Sequence, residues 1–255
     1  QLTIEQADVL SNQAAAADGK GGGIYVTNGG NVALRDNVWV GSSLFMPNQT
    51  AYDGAGIYAD NSTVALDGVN LGRNVAARNG GGLYLGNNST LQAVDTNLGH
   101  TIWFFGTIQW GNQANYGGGL YADASAVDFS GAIATNDANF AGGGVYATNN
   151  STLKLTGATV GLAGDAQGNR LGTSGNTGAG LYLTGGSTGV LSNTVVVSNT
   201  FQTAGFTYGG GAYLSNSTLT LQDSRVEQHY APSLSDGRGA GLYLSNSTAT
   251  LDNSQ

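Results

Sequence analysis

One pentapeptide decides what this chain can fold into. The pattern Gly-[Gly/Ala]-Gly-[aliphatic or Ala]-Tyr occurs eight times, ending at Tyr25, Tyr58, Tyr84, Tyr121, Tyr146, Tyr182, Tyr213 and Tyr243. Successive gaps are 33, 26, 37, 25, 36, 31 and 30 residues. A constant motif at unequal spacing describes rungs of one design joined by loops of variable length, which is the mark of a solenoid. Composition agrees. Glycine fills 43 of 255 positions, more than twice the usual ~7%. Collagen is excluded, because no Gly-X-Y period exists and there are only two prolines. A helical bundle would lose about 1 kcal/mol at every interior glycine. Simple disorder does not suit 40% hydrophobic and 9% charged residues.

Each repeat continues alike. A polar turn follows the tyrosine strand, and then a short alternating strand, as in Asn61-Ser62-Thr63-Val64-Ala65-Leu66, Asn150-Ser151-Thr152-Leu153-Lys154-Leu155 and Asn216-Ser217-Thr218-Leu219-Thr220-Leu221. A weaker apolar stretch comes next (Val69-Asn70-Leu71, Ala158-Thr159-Val160). It is followed by an Asn/Ala-rich segment read as a turn (Asn112-Gln113-Ala114-Asn115, Asn136-Asp137-Ala138-Asn139). Three short strands per repeat predict an all-β, right-handed parallel β-helix of about eight coils, as one domain over residues 1–255.

Alternation assigns faces. Residues before the tyrosines (Ile24, Ile57, Leu83, Leu120, Val145, Leu181, Ala212, Leu242) and after them (Val26, Ala59, Leu85, Ala122, Ala147, Leu183, Leu214, Leu244) are aliphatic or alanine. Both columns therefore face the core, and the tyrosines face outward. Counting back by two puts the third glycine of each motif outward as well, as the floor of a glycine trough. The first glycine is assigned to a turn. The outward tyrosine ladder has two readings: it stabilises the solenoid by stacking, or it docks a glycan or another protein.

The Asn-x-Ala-x-x-Gly-Gly-Gly-[Ile/Leu/Val]-Tyr pattern followed by Ser-Thr-[Leu/Val]-x-Leu is best displayed by residues 112–121 and 136–146. It resembles the parallel β-helix repeats of large bacterial surface proteins, such as the passenger domains of polymorphic outer-membrane proteins. The likeness runs over residues 2–251. It implies an extracellular, adhesive or structural segment of a longer cell-surface protein.

Chemistry is sought and a catalytic constellation is not found. The outward column of the second strand reads Ala65, Gln92, Asp128, Lys154, Thr220 and Thr250, which is no acid cluster. Asp223, Arg225, Glu227 and His229 alternate onto one face of a single strand, where they either bind a cation or perform acid–base work, or form an ordinary solvated strand. No Ca²⁺-binding loop motif appears, so a structural Ca²⁺ has no motif behind it and no cofactor is expected. Eight Asn-x-Ser/Thr sequons begin at Asn48, Asn61, Asn87, Asn88, Asn149, Asn150, Asn216 and Asn246, all but the first at one repeated corner. That phase points to turn formation rather than to glycosylation. An insertion at 100–110 interrupts the repeat with Trp103, Phe104, Phe105 and Trp110; it either covers the core beneath a loop or forms an exposed binding spot. Residues 200–208 form a smaller aromatic insertion.

A net charge of −8 argues against nucleic acid as a partner. The chain has no cysteine, hence no disulfide framework, and its longest candidate membrane run, Ile102-Trp103-Phe104-Phe105, is far short of a span. Both termini fall within a coil, which suggests a segment of a longer protein or ends that pair head to tail with other copies. The function expected is a non-enzymatic extracellular rod. Its alternative is a polysaccharide-binding or -cleaving module.

Overall fold

The computed structural model describes residues 1–41, 46–99, 111–162, 168–202, 206–230 and 237–255, and the backbone of 103–104 and 107–108. Among these residues there is no helix, so none long and apolar enough to cross a membrane. The chain is a parallel β-helix with three long sheets.

The first sheet has eight strands, from Ile24–Thr27 to Leu242–Ser245. Every tyrosine of the motif is the register partner of the next, from Tyr25↔Tyr58 to Tyr213↔Tyr243. The second sheet has 15 strands. Nine form its main path, from Leu2–Glu5 to Thr248–Asp252, and the weak apolar stretch of each repeat, such as Asn70–Gly72 and Thr159–Gly161, belongs to the same sheet. Thr90–Leu98 and Ala126–Ile133 run through both parts without a break. The third sheet, seven strands from Gln13–Ala14 to Thr200–Phe201, corrects the expectation. The Asn/Ala-rich segments read as turns are its strands, Gln113–Tyr116 and Asp137–Ala141 among them.

Both aliphatic columns beside the tyrosines pack inward, from Ile24 to Leu214, and they join the inward residues of the second sheet in one continuous core. The inner face is less covered at the two end strands, where Val26 and Leu242 are partly buried and Leu244 is exposed. Each buried leucine contributes roughly 1.5–3 kcal/mol relative to exposure. The third sheet adds two small clusters, Ala76 and Ala114 with the motif residue Ala55, and Ala138, Leu171 and Phe201 with the motif residue Ala179.

The first glycine of each motif makes the expected turn: φ lies between +57° and +66° at all eight. The third glycine overturns the expected trough. A Cβ on Gly119 would stand 2.7 Å from the Gly144 carbonyl oxygen and 2.8 Å from Asn136 Nδ2, inside the coil. The same contacts, with the next glycine and a buried asparagine, recur at Gly23, Gly56, Gly82, Gly144 and Gly180. These glycines are the space into which interior asparagines fit, not an outer floor.

Those asparagines form a ladder the linear reading missed. Asn48, Asn74, Asn112, Asn136, Asn169 and Asn199 are fully buried. Each Nδ2 donates to the next Oδ1, at 3.1, 2.8, 2.9, 2.9 and 2.9 Å. Each Nδ2 also donates to a carbonyl one coil back, as Asn136 does to Leu98 at 2.8 Å. From Asn74 to Asn169 the backbone N–H donates to the next Oδ1 as well. Burying an amide is costly unless it is paired, and here both its donors and its acceptor are used.

Candidate functional site

The ladder of Tyr25, Tyr58, Tyr84, Tyr121, Tyr146, Tyr182, Tyr213 and Tyr243 is continuous. All seven successive pairs are stacked, with ring centroids 4.8–5.3 Å apart and planes within 1–10° of parallel. Parallel in-register strands ~4.8 Å apart dictate this spacing, since each outward side chain stands directly over the next. Stacking has a consequence for binding. Each interior ring has neighbours over both faces, so the ladder offers partners ring edges and hydroxyl groups. Sugar rings have no free tyrosine face to stack on between Tyr58 and Tyr213.

Exposure varies along the ladder. Tyr25 is 54% exposed and Tyr58 only 3%. Tyr58 is roofed by Lys20, whose Nζ donates to its hydroxyl at 3.1 Å and lies 4.9 Å from its ring centroid. The Tyr58 hydroxyl donates in turn to Asp60 Oδ2 at 3.3 Å. Lys20 also approaches the Tyr52 ring, which the Arg78 guanidinium covers at 4.0 Å. Behind them Asp53 is buried, and that burial raises its pKa; its Oδ1 accepts the Asn79 backbone N–H at 3.0 Å. From Tyr84 onward the rings are half-buried. Burial pushes the Tyr121 phenol up to about 12 and raises Tyr84 and Tyr146 too, so these hydroxyls are neutral donors at physiological pH.

Beside the middle of the ladder lies a second aromatic group that the linear reading did not single out. Tyr116 and Phe140, 36% and 40% exposed, meet at 5.3 Å with their rings tilted 37°. Tyr116 sets its ring edge-on to Tyr146 at 5.4 Å, and Tyr208 does the same to Tyr243 at 5.0 Å. Because they stand outside the ladder, Tyr116 and Phe140 keep ring surface open to solvent. The Asn115 and Asn139 amides lie alongside, hydrogen-bonded to each other at 2.8 Å. Their sequence signal was position: Tyr116 and Tyr208 directly precede a turn glycine, and Phe140 and Tyr52 stand two before one.

The other candidates fare differently. Trp103–Phe104 pairs antiparallel with Thr107–Ile108. Phe105, Trp110 and His100, and the side chains of Trp103 and Phe104, lie outside the described residues. The outward column Ala65, Gln92, Asp128, Lys154, Thr220, Thr250 is in register, with Val190 between Lys154 and Thr220. Asp128 is paired with Lys154 at 2.9 Å beside a depression of about 400 Å³ that Gln92, Val94 and Ser130 also line. The strand cluster is not assembled on one face. Arg225 and Glu227 face outward and approach to 4.0 Å, and Asp223 accepts from Asn253 in a turn at φ +49°. His229 instead turns inward. Among the described residues no three acidic or histidine side chains gather as a metal site.

The repeated sequons are turns, as their phase implies. Asn61, Asn87, Asn88, Asn149, Asn150, Asn216 and Asn246 all have φ between +48° and +64°. The serines that follow are structural: Ser62 N–H donates to Ser89 Oγ, and Ser125 N–H to Ser151 Oγ, both at 3.1 Å. Comparison with known protein families, curated proteins and solved structures finds no match for the chain.

Proposed function

We propose that the chain is a non-enzymatic structural and adhesive rod of a microbial cell surface. It meets a glycan or surface-protein partner along the tyrosine face, at the shelf formed by Tyr116 and Phe140. The observation that carries this reading is the shelf itself: open aromatic surface with amide groups beside it, held on a stiff, stacked ladder. The motif's resemblance to repeats of polymorphic outer-membrane passenger domains supports the cell-surface setting.

The test is a glycan and surface-protein array read together with a reducing-end assay. Expected are retention on the array and no turnover, with retention lost in Tyr116→Ala/Phe140→Ala while the melting temperature stays near that of the parent. Turnover would favour the polysaccharide-cleaving alternative. Retention unchanged in the double variant overturns the shelf as the contact.

A further inference from the structure

In the slot that follows Asn199 the buried ladder carries a histidine. At its regular steps the backbone N–H of one asparagine donates to the next Oδ1, as Asn169 does to Asn199 at 3.0 Å. The Nδ2 of that next residue reaches back to a carbonyl, as Asn199 does to Val160 at 3.0 Å. His229 follows Asn199 by the same 30 residues that part Asn169 from Asn199. It reproduces both halves of the pattern. The Asn199 N–H donates to His229 Nδ1 at 3.2 Å, and His229 Nε2 lies 3.1 Å from the Val196 carbonyl oxygen. The ring also takes the asparagine's place under the motif glycine: a Cβ on Gly211 would stand 2.6 Å from Nε2, as one on Gly180 would stand 2.7 Å from Asn199 Nδ2.

Only one form of the ring fits both partners. Nδ1 must be bare to accept, and Nε2 must carry the hydrogen to donate, which assigns the neutral Nε2–H tautomer from its partners. An asparagine in this slot has no second state. Imidazole has one, because a proton on Nδ1 sets N–H against the Asn199 N–H. No described acid faces the ring to compensate. The preceding turn presents Val196 and Asn199, the tyrosine sheet presents Gly210 and Gly211, and its own strand presents Val226. The ionisable neighbours Arg225 and Glu227 face outward and approach each other, and Tyr230 is 64% exposed.

We propose that His229 is an acid-sensitive latch on the rung that follows Asn199. Neutral, it holds Arg225–Glu227 and the turn at 209–211 onto the solenoid; protonated, it leaves its slot and frees them. Burial pushes its pKa down to about 4, so the latch stays closed at neutral pH, and its open fraction grows as pH falls below the ordinary histidine value, at which a freed ring takes up a proton.

Hydrogen exchange on the intact chain, corrected for the intrinsic pH dependence, tests this with His229→Asn as the comparison. In the parent, amide protection over residues 195–230 falls about ten-fold or more between pH 7 and pH 5. In His229→Asn it changes little, because asparagine supplies the same acceptor and donor at every pH. Equal losses in both chains overturn the latch. A ¹⁵N histidine spectrum of the parent gives a second test that needs no variant. It should show the Nε2–H tautomer titrating well below the usual histidine range; an Nδ1–H tautomer or an ordinary titration overturns the proposal.

Discussion

At the residue scale, the interior asparagines show where local reading stops. In Asn136-Asp137-Ala138-Asn139 two asparagines stand three apart, and both look like turn formers. Asn136 is fully buried and its side chain makes four hydrogen bonds in the ladder, whereas Asn139 is exposed. Nothing in the tetrapeptide distinguishes them. The difference arises from stacking, which places Asn112 and Asn169 on either side of Asn136 and a motif glycine, Gly119, over it. Asn136→Ala strands the Asn112 backbone N–H and one hydrogen of the Asn112 amide in a dry interior. The expected loss is about 3 kcal/mol or more by urea unfolding. Asn139→Ala should stay within about 0.5 kcal/mol. Equal effects would mean that the ladder is not what holds this corner.

At the element scale, period-two counting succeeded where the chain is a strand and failed one residue beyond it. From Ile24 to Thr27 and in its seven counterparts the aliphatic and tyrosine columns lie where alternation puts them. Gly23 and its counterparts precede the strand, where the turn made by the first glycine has already rotated the chain, so the count no longer applies. The stacking that alternation implies changes how the element titrates. Burial raises the phenols of Tyr58, Tyr84, Tyr121, Tyr146, Tyr182 and Tyr213 in the folded chain. Raised folded values mean that the unfolded chain gives up these protons first. For Tyr121 the contribution to stability is whole below about pH 10 and is lost as pH rises through about 12. Tyrosinate absorbance of the folded chain near pH 11 should therefore lag that of the chain in urea, by at least the three residues Tyr84, Tyr121 and Tyr146. Coincident curves would show that the ladder is open to solvent.

At the scale of the whole molecule, each rung touches chiefly the rung before and the rung after, so stability is close to a sum of rungs and nearest-neighbour interfaces. The unequal loops that disguise the repeat in sequence leave this rule untouched, because they lie between the paired strands. The joint most exposed to a single change is Phe129, a fully buried side chain whose strand neighbours are Ala93 and Leu155. Alanine on one side leaves the ring to fill space that two rungs share. Phe129→Ala is expected to cost about 3–5 kcal/mol. In a one-dimensional array that loss falls on the joint and weakens coupling between the two halves of the rod. The tryptophans report on one half alone, since Trp39, Trp103 and Trp110 all precede Phe129. Tryptophan fluorescence and far-ultraviolet dichroism should trace one urea transition in the parent and separate into two midpoints in Phe129→Ala. A variant that shifts both probes together, by the full amount, would show coupling that reaches past neighbouring rungs, and the continuous aliphatic core from Ile24 to Leu221 would then unfold as one body.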